Sequence, residues 1–163
     1  MTAEIKQNHA LHLEEITPIL NKISIFGGLS DKQLHTLFQL LQQVSYKKDE
    51  YVFRQGDEPS HIYVVISGTV KLIMEEHGTP LELIAFSAGH NFGETAMIGI
   101  QPHSASALAV ENTELIVLSR KALLSLHDTD PELFGILILN IAREACRRIH
   151  NTDETLLHYF CKK

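Results

Sequence analysis

The chain contains no tryptophan and only two cysteines, Cys146 and Cys161, among 163 residues. Two thiols cannot build a disulfide framework, and neither lies in a Cys-x-x-Cys pair of the kind that holds zinc or runs redox chemistry. Both read as ordinary thiols. Basic residues are also scarce: 14 Lys and Arg stand against 20 Asp and Glu, a formal net charge of −6, with the acids spread along the chain. A nucleic-acid surface shows as a basic patch or stripe, and the one basic cluster here, Arg143, Arg147 and Arg148, is shared with Glu144. It reads as a solvated helix face. Long apolar runs are missing as well. Nothing approaches the ~18 residues of a membrane span, and the stretch Met1–His9 has no apolar run of signal-peptide length. The expectation is a cytoplasmic protein without membrane contact.

What the chain does have is 44% hydrophobic content, enough for one domain with a real core. From Leu11 to Ile23 the residues Ile16, Ile19, Leu20 and Ile23 recur at helical spacing, with Pro18 limiting where that helix can begin. Ser30 and Gln33 have capping-box spacing and Leu29 with Leu34 sit as a hydrophobic staple, so a second helix is predicted with Leu34, Leu37, Phe38 and Leu41 inward. After Val44 the period changes to short β-branched and aromatic runs. Strands are predicted at Tyr51–Arg54, Ile62–Ser67, Thr69–Glu75, Leu81–Phe86, Ser104–Val110 and Glu114–Ser119, with shorter ones near Val44–Lys47 and Asn91–Phe92. Gly56, Gly68, Gly78 and Gly89 fall where such strands turn. Ser119 is a predicted N-cap, and Asp130-Pro131 opens the last helix. The first half of that helix, from Leu133 to Ala142, is apolar nearly all round and so needs cover on two sides.

The stretch from Phe92 to Ser106 carries the chemistry. Gly93 allows close approach of the backbone to a ligand, a helical turn beginning near Thr95 points free N–H groups at negative charge, and Glu94 can accept hydrogen bonds from sugar hydroxyls. Phe92, Gly93, Glu94, Ala96, Pro102, Ser104, Ala105 and Ser106 together resemble the phosphate-binding cassette of the cyclic nucleotide-binding domain family. The phrase Ile25–Ser30 and the spacing of Gly56, Ile62–Val65, Gly68 and Val70 extend the resemblance from about Phe26 to about Arg148. One position departs from it: His103 stands where the family carries an arginine that pairs with the cyclic phosphate.

The resemblance implies an α+β, mainly β, fold: a double-stranded β-helix, or jelly-roll, barrel with N-terminal helices and a long C-terminal helix. It implies a helical segment over 1–30, the nucleotide-binding-like domain over 31–151 and a tail over 152–163. The ligand would be cAMP or cGMP, held by Gly93, Glu94, Thr95, Ala96, His103, Ser104 and Ala105, with Ser106 a further hydroxyl and Arg148 and Thr152 near the purine. Histidine is shorter than arginine and mostly neutral near pH 7, so binding is expected to be weak. The C-terminal helix around Leu133–Ile149 would pair with its twin in a homodimer, with Leu137 and Ile141 at the contact. Only Asn151–Lys163 follow that helix, too little for a winged helix-turn-helix, so DNA binding by that route is not expected. The chain is read as a stand-alone regulatory sensor acting on a protein partner. The alternative is a dimeric interaction module that keeps the fold without a ligand. A metal enzyme of the cupin type needs histidines alternating on one strand. No His-x-His occurs, and His61, His77, His90 and His103 lie in separate segments. No catalytic residue, metal or cofactor is assigned.

Overall fold

The computed structural model describes residues 13–76 and 78–161; the beginning of the expected first helix at Leu11, the stretch Met1–His9 and His77 lie outside the described residues. The first helix, α1, spans Leu13–Leu20 and ends two residues after Pro18, which removes a donor from the helical ladder. A 3-10 turn follows at Ser24–Phe26. Helix α2, Asp31–Phe38, begins with the predicted box: the backbone N–H of Gln33 donates to Ser30 Oγ at 3.4 Å, and that of Ser30 to Gln33 Oε1 at 3.0 Å. Leu41, expected on α2, instead opens the first strand opposite Leu118.

Eight strands follow. They are β1 Leu41–Tyr46, β2 Tyr51–Phe53, β3 His61–Ser67, β4 Thr69–Glu76, β5 Thr79–Ser87, β6 Asn91–Phe92, β7 Ser106–Ala109 and β8 Thr113–Ser119. All pair antiparallel, in two four-stranded sheets ordered β1-β8-β3-β6 and β2-β7-β4-β5. The expected closed barrel is therefore corrected to two packed sheets. The chain passes between sheets at tight turns, Asp49 at φ 68° between β1 and β2 and Gly89 at φ 88° between β5 and β6, and no ladder joins the strands on either side of them.

Strand β3 shows why its sequence is apolar without a break. Ile62 and Val64 face Leu20, Leu37, Leu123 and Leu137 in the layer between sheet and helices, while Tyr63 and Val65 face Val70, Phe86 and Phe92 between the sheets. A strand covered on both faces has no polar side to show. Strand β5 is the opposite case: among the described residues it pairs only with β4, and Leu81, Leu83 and Ile84 are exposed.

Helix α3 spans Glu94–Gly99, α4 Arg120–Thr129 and α5 Pro131–Cys161. Ser119 caps α4 by accepting from the N–H of Ala122 at 3.1 Å. Asp130 Oδ1 accepts from the N–H of Leu133 at 3.0 Å at the start of α5. With 31 residues α5 is about 46 Å long at ~1.5 Å per residue, and it runs through Thr152, where a tail was expected. One face of its first half is covered from within the chain, while Leu139 and Ala142 stay exposed. Leu133, Leu137 and Ile141 are buried in the layer between sheet and helices, and Asn140 Nδ2 donates to the carbonyls of Ile25 and Gly27 at 3.3 and 2.8 Å. Leu137 and Ile141, expected at a dimer contact, belong instead to the protomer's own core.

Candidate functional site

The cradle begins at Gly93, whose φ of 86° makes it a left-handed N-cap for α3. A methyl group there would lie 2.9 Å from Tyr63 Cδ2 and 3.0 Å from the carbonyl oxygen of His61, so both the conformation and the space require glycine. The first ladder bond of α3 runs from the N–H of Met97 to the carbonyl of Gly93 at 3.2 Å. The N–H groups of Thr95 and Ala96 have no partner within the helix. Thr95 is exposed and Ala96 half-buried, while Met97 anchors α3 in the core.

Glu94 is fully enclosed. Asn91 Nδ2 donates to its Oε2 at 3.2 Å, and Arg148 from α5 forms an ion pair with its Oε1. Arg148 donates as well to the backbone carbonyl of Asn91, and its guanidinium lies 5.2 Å from the centre of the Phe86 ring. Burial raises the Glu94 carboxyl above its ordinary range, and Arg148 only partly offsets the rise. The expected solvated face of three arginines therefore holds only in part. Arg147 pairs with Glu144 at 2.6 Å, whereas Arg148 turns inward because α5 carries it over an enclosed carboxylate.

On the other side of the cradle, Ser104 is exposed and Ala105 buried. The Ser106 hydroxyl accepts from the N–H of Gln55 at 2.9 Å, which joins β7 to the turn after β2. The His103 backbone is held in the same way: its N–H donates to the carbonyl of Asp57 at 2.9 Å, and its carbonyl accepts from Gly56 at 2.8 Å. Its ring lies flat on Phe53, with centroids 3.6 Å apart and planes 10° from parallel, and is only 5% exposed. Burial keeps this imidazole below its ordinary pKa, partly offset by Asp57, so it is neutral near pH 7.

Gly93, Glu94, Thr95 and Ala96 are thus contiguous on α3, and the Pro102–Ser106 segment leads into β7. Asn91 and Phe53 are the contributors that sequence reasoning missed, and Arg148 has a role it did not foresee. The aromatic pattern was the available signal. Phe53, Tyr63, Phe86 and Phe92 form one connected set of rings between the sheets, with Tyr63–Phe92 and Phe86–Phe92 stacked at 5.1 and 5.5 Å. Among the described residues no group of three His, Cys, Asp or Glu could hold a metal ion, and no helix is long and apolar enough to cross a membrane.

The cyclic AMP receptor protein of Thermus thermophilus is 32% identical over 130 residues, covering 79% of this chain and 58% of the relative. The cGMP-dependent protein kinase 2 of Mus musculus is 31% identical over 101 residues, covering 61% of this chain and 13% of the kinase. The chain thus spans little more than half of the first relative and a small part of the second. A solved cyclic nucleotide-binding domain from Methylobacillus flagellatus matches with a TM-score of 0.80 at 28% identity, over 90% of this chain and 83% of that one. With the model of the Cyclic nucleotide-binding domain matching residues 43–130, more than half of its length, this chain belongs to the cyclic nucleotide-binding domain family.

Proposed function

We propose that the chain is a cytoplasmic, non-enzymatic regulatory domain that binds a cyclic nucleotide monoanion, cAMP or cGMP, at the cradle of Gly93, Glu94, Thr95, Ala96, Ser104 and Ala105. One observation carries the regulatory half of this reading: Arg148 ties the first residue of α3 to α5. A ribose hydroxyl donating to Glu94 competes with that tie, so occupancy of the cradle re-seats α5 and signals to whatever α5 touches.

Binding is weak in this reading because His103 supplies no charge to the phosphate. Loss of one charge-assisted hydrogen bond costs about 1.5–3 kcal/mol, or roughly a tenfold to hundredfold rise in dissociation constant. Calorimetric titration with cAMP and cGMP tests this on the wild type and on His103→Arg. The expected result is weak heat from the wild type and at least tenfold tighter binding by the variant. Silence from both would refute the ligand reading.

Helix α5 is also proposed to pair with a second copy of itself. An exposed stripe runs through Leu139, Ala142, Cys146, Ile149 and Leu156 at alternating steps of three and four, with Asp153 in the same row. That is the seam of a two-stranded coil. Arg143 and His150 flank it on one side, Ala145 and Thr152 on the other. A parallel pair then sets the Arg143 side of each helix against the Ala145 side of the other. Nothing in the proposal calls for DNA.

A second reading is a dimeric interaction module with no ligand. The specific observation in its favour is the enclosed, neutral ring of His103 packed on Phe53 at the position where the family carries its phosphate-binding arginine.

A further inference from the structure

Between the two sheets, beside the turn that follows β2, lies a cleft of about 490 Å³ to which no residue of α3 contributes. Tyr46, Tyr51, Phe53 and Tyr63 are among the residues that line it, and its polar lining includes His61 and His103. His103 is a polar side chain more than nine-tenths buried, and no hydrogen bond reaches its ring nitrogens among the described residues. Every fully enclosed side-chain nitrogen or oxygen among those residues is hydrogen-bonded, so the ring nitrogens of His103 are not sealed off, and His103 is one of the residues that line the cleft. His61 engages Ser60 Oγ through Nδ1 at 2.7 Å, which leaves Nε2 for another partner.

The charges at the rim select against an anion. Arg54 is laid over the Tyr51 ring at 3.9 Å, and Asp57 and Glu58 stand beside it. Burial lowers the pKa of both His61 and His103, so neither brings a positive charge: His103 offers one donor and one acceptor, and His61 the single nitrogen Nε2. The volume lies within the range of small-molecule sites, about 300–1,000 Å³. Flat rings on the walls favour a flat ring between them, stacked offset or edge to face.

From this the geometry points to a second ligand site, for an uncharged planar heteroaromatic molecule of nucleobase or nucleoside size, stacked among the tyrosine and phenylalanine rings and hydrogen-bonded at its edge by His61 and His103. The site shares His103 with the Pro102–Ser106 segment but takes no residue of α3, and it stands whether or not a cyclic nucleotide binds at the cradle.

Adenosine and guanosine serve as probes, with NMR resonances of the aromatic and imidazole groups and of the α3 amides followed on the full chain. The absence of tryptophan leaves tyrosine emission as a second readout, and three of the four tyrosines, Tyr46, Tyr51 and Tyr63, line the cleft. The expected result is saturable shifts at Tyr46, His61, Tyr63 and His103 with a dissociation constant below about 1 mM. His103→Phe keeps the stack on Phe53 but removes both nitrogens, and it should weaken binding at least tenfold. Tyr51→Ala, at the exposed mouth, should weaken it with folding intact. The proposal is overturned if neither nucleoside shifts these groups up to its solubility limit, if the shifts fall on Thr95 and Ala96 instead, or if His103→Phe binds as tightly as wild type.

Discussion

Replacing Arg148 by methionine removes the charge that faces Glu94 while keeping an apolar stem over Phe86. The Glu94 carboxylate has no solvent access, and its remaining side-chain donor is the neutral amide of Asn91. Breaking a buried ion pair by deleting one partner costs about 3–5 kcal/mol, and the lower end applies because Arg148 is itself 27% exposed. At about 2–4 °C per kcal/mol for a chain of this size, melting should fall by about 6–12 °C at pH 8. The loss should depend on pH. Burial already raises the Glu94 pKa in the folded state, and loss of Arg148 raises it further. The folded protein then binds a proton that the unfolded chain releases, in the window from the ordinary carboxylate value of about 4.3 up to the raised one. Stability falls as pH rises through that window and recovers as pH is lowered. Urea titrations of wild type and Arg148→Met between pH 5 and 8 should show the deficit shrinking toward pH 5, and Glu94→Gln added to the variant should restore most of it at pH 8. An equal deficit at both ends would attribute the cost to packing, and a deficit under about 1 kcal/mol at pH 8 would refute the dependence of Glu94 on Arg148.

Two further outcomes follow from the geometry. Ile149→Asp on the exposed stripe of α5 should raise the dimer dissociation constant at least a hundredfold, about 2.7 kcal/mol, without lowering the content of folded protein. Sedimentation would then give 18.3 kDa rather than twice that mass, whereas Leu137→Asp should unfold the chain. A wild type that is monomeric at tens of micromolar would remove the dimer. Gly93→Ala should cost about 1–2 kcal/mol for the left-handed conformation alone, with more from the contacts to Tyr63 and His61. A variant as stable as wild type in urea would show that α3 can re-form without its glycine.

Local patterns were legible because local rules decide them. The capping box at Ser30 and Gln33, the Ser119 cap and the turn glycines Gly56, Gly68, Gly78 and Gly89, all with positive φ, depend on residues a few positions apart. The cassette from Phe92 to Ser106 is equally local, and it identified the family. Other features join residues far apart in the chain. Arg148 meets Glu94 across 54 positions, His103 lies on Phe53, and the enclosed face of α5 falls on Leu137 and Ile141 rather than Leu139 and Ile149. A helix apolar nearly all round states only that two sides need cover. Which side the chain covers itself depends on the angle at which α5 crosses the 3-10 turn and the sheet, and that angle is set by packing. The direction of the His103 ring is decided in the same way, since a histidine in the sequence suits an anion or a phenylalanine equally well. Only the arrival of β2 beside the Pro102–Ser106 segment puts Phe53 beneath it.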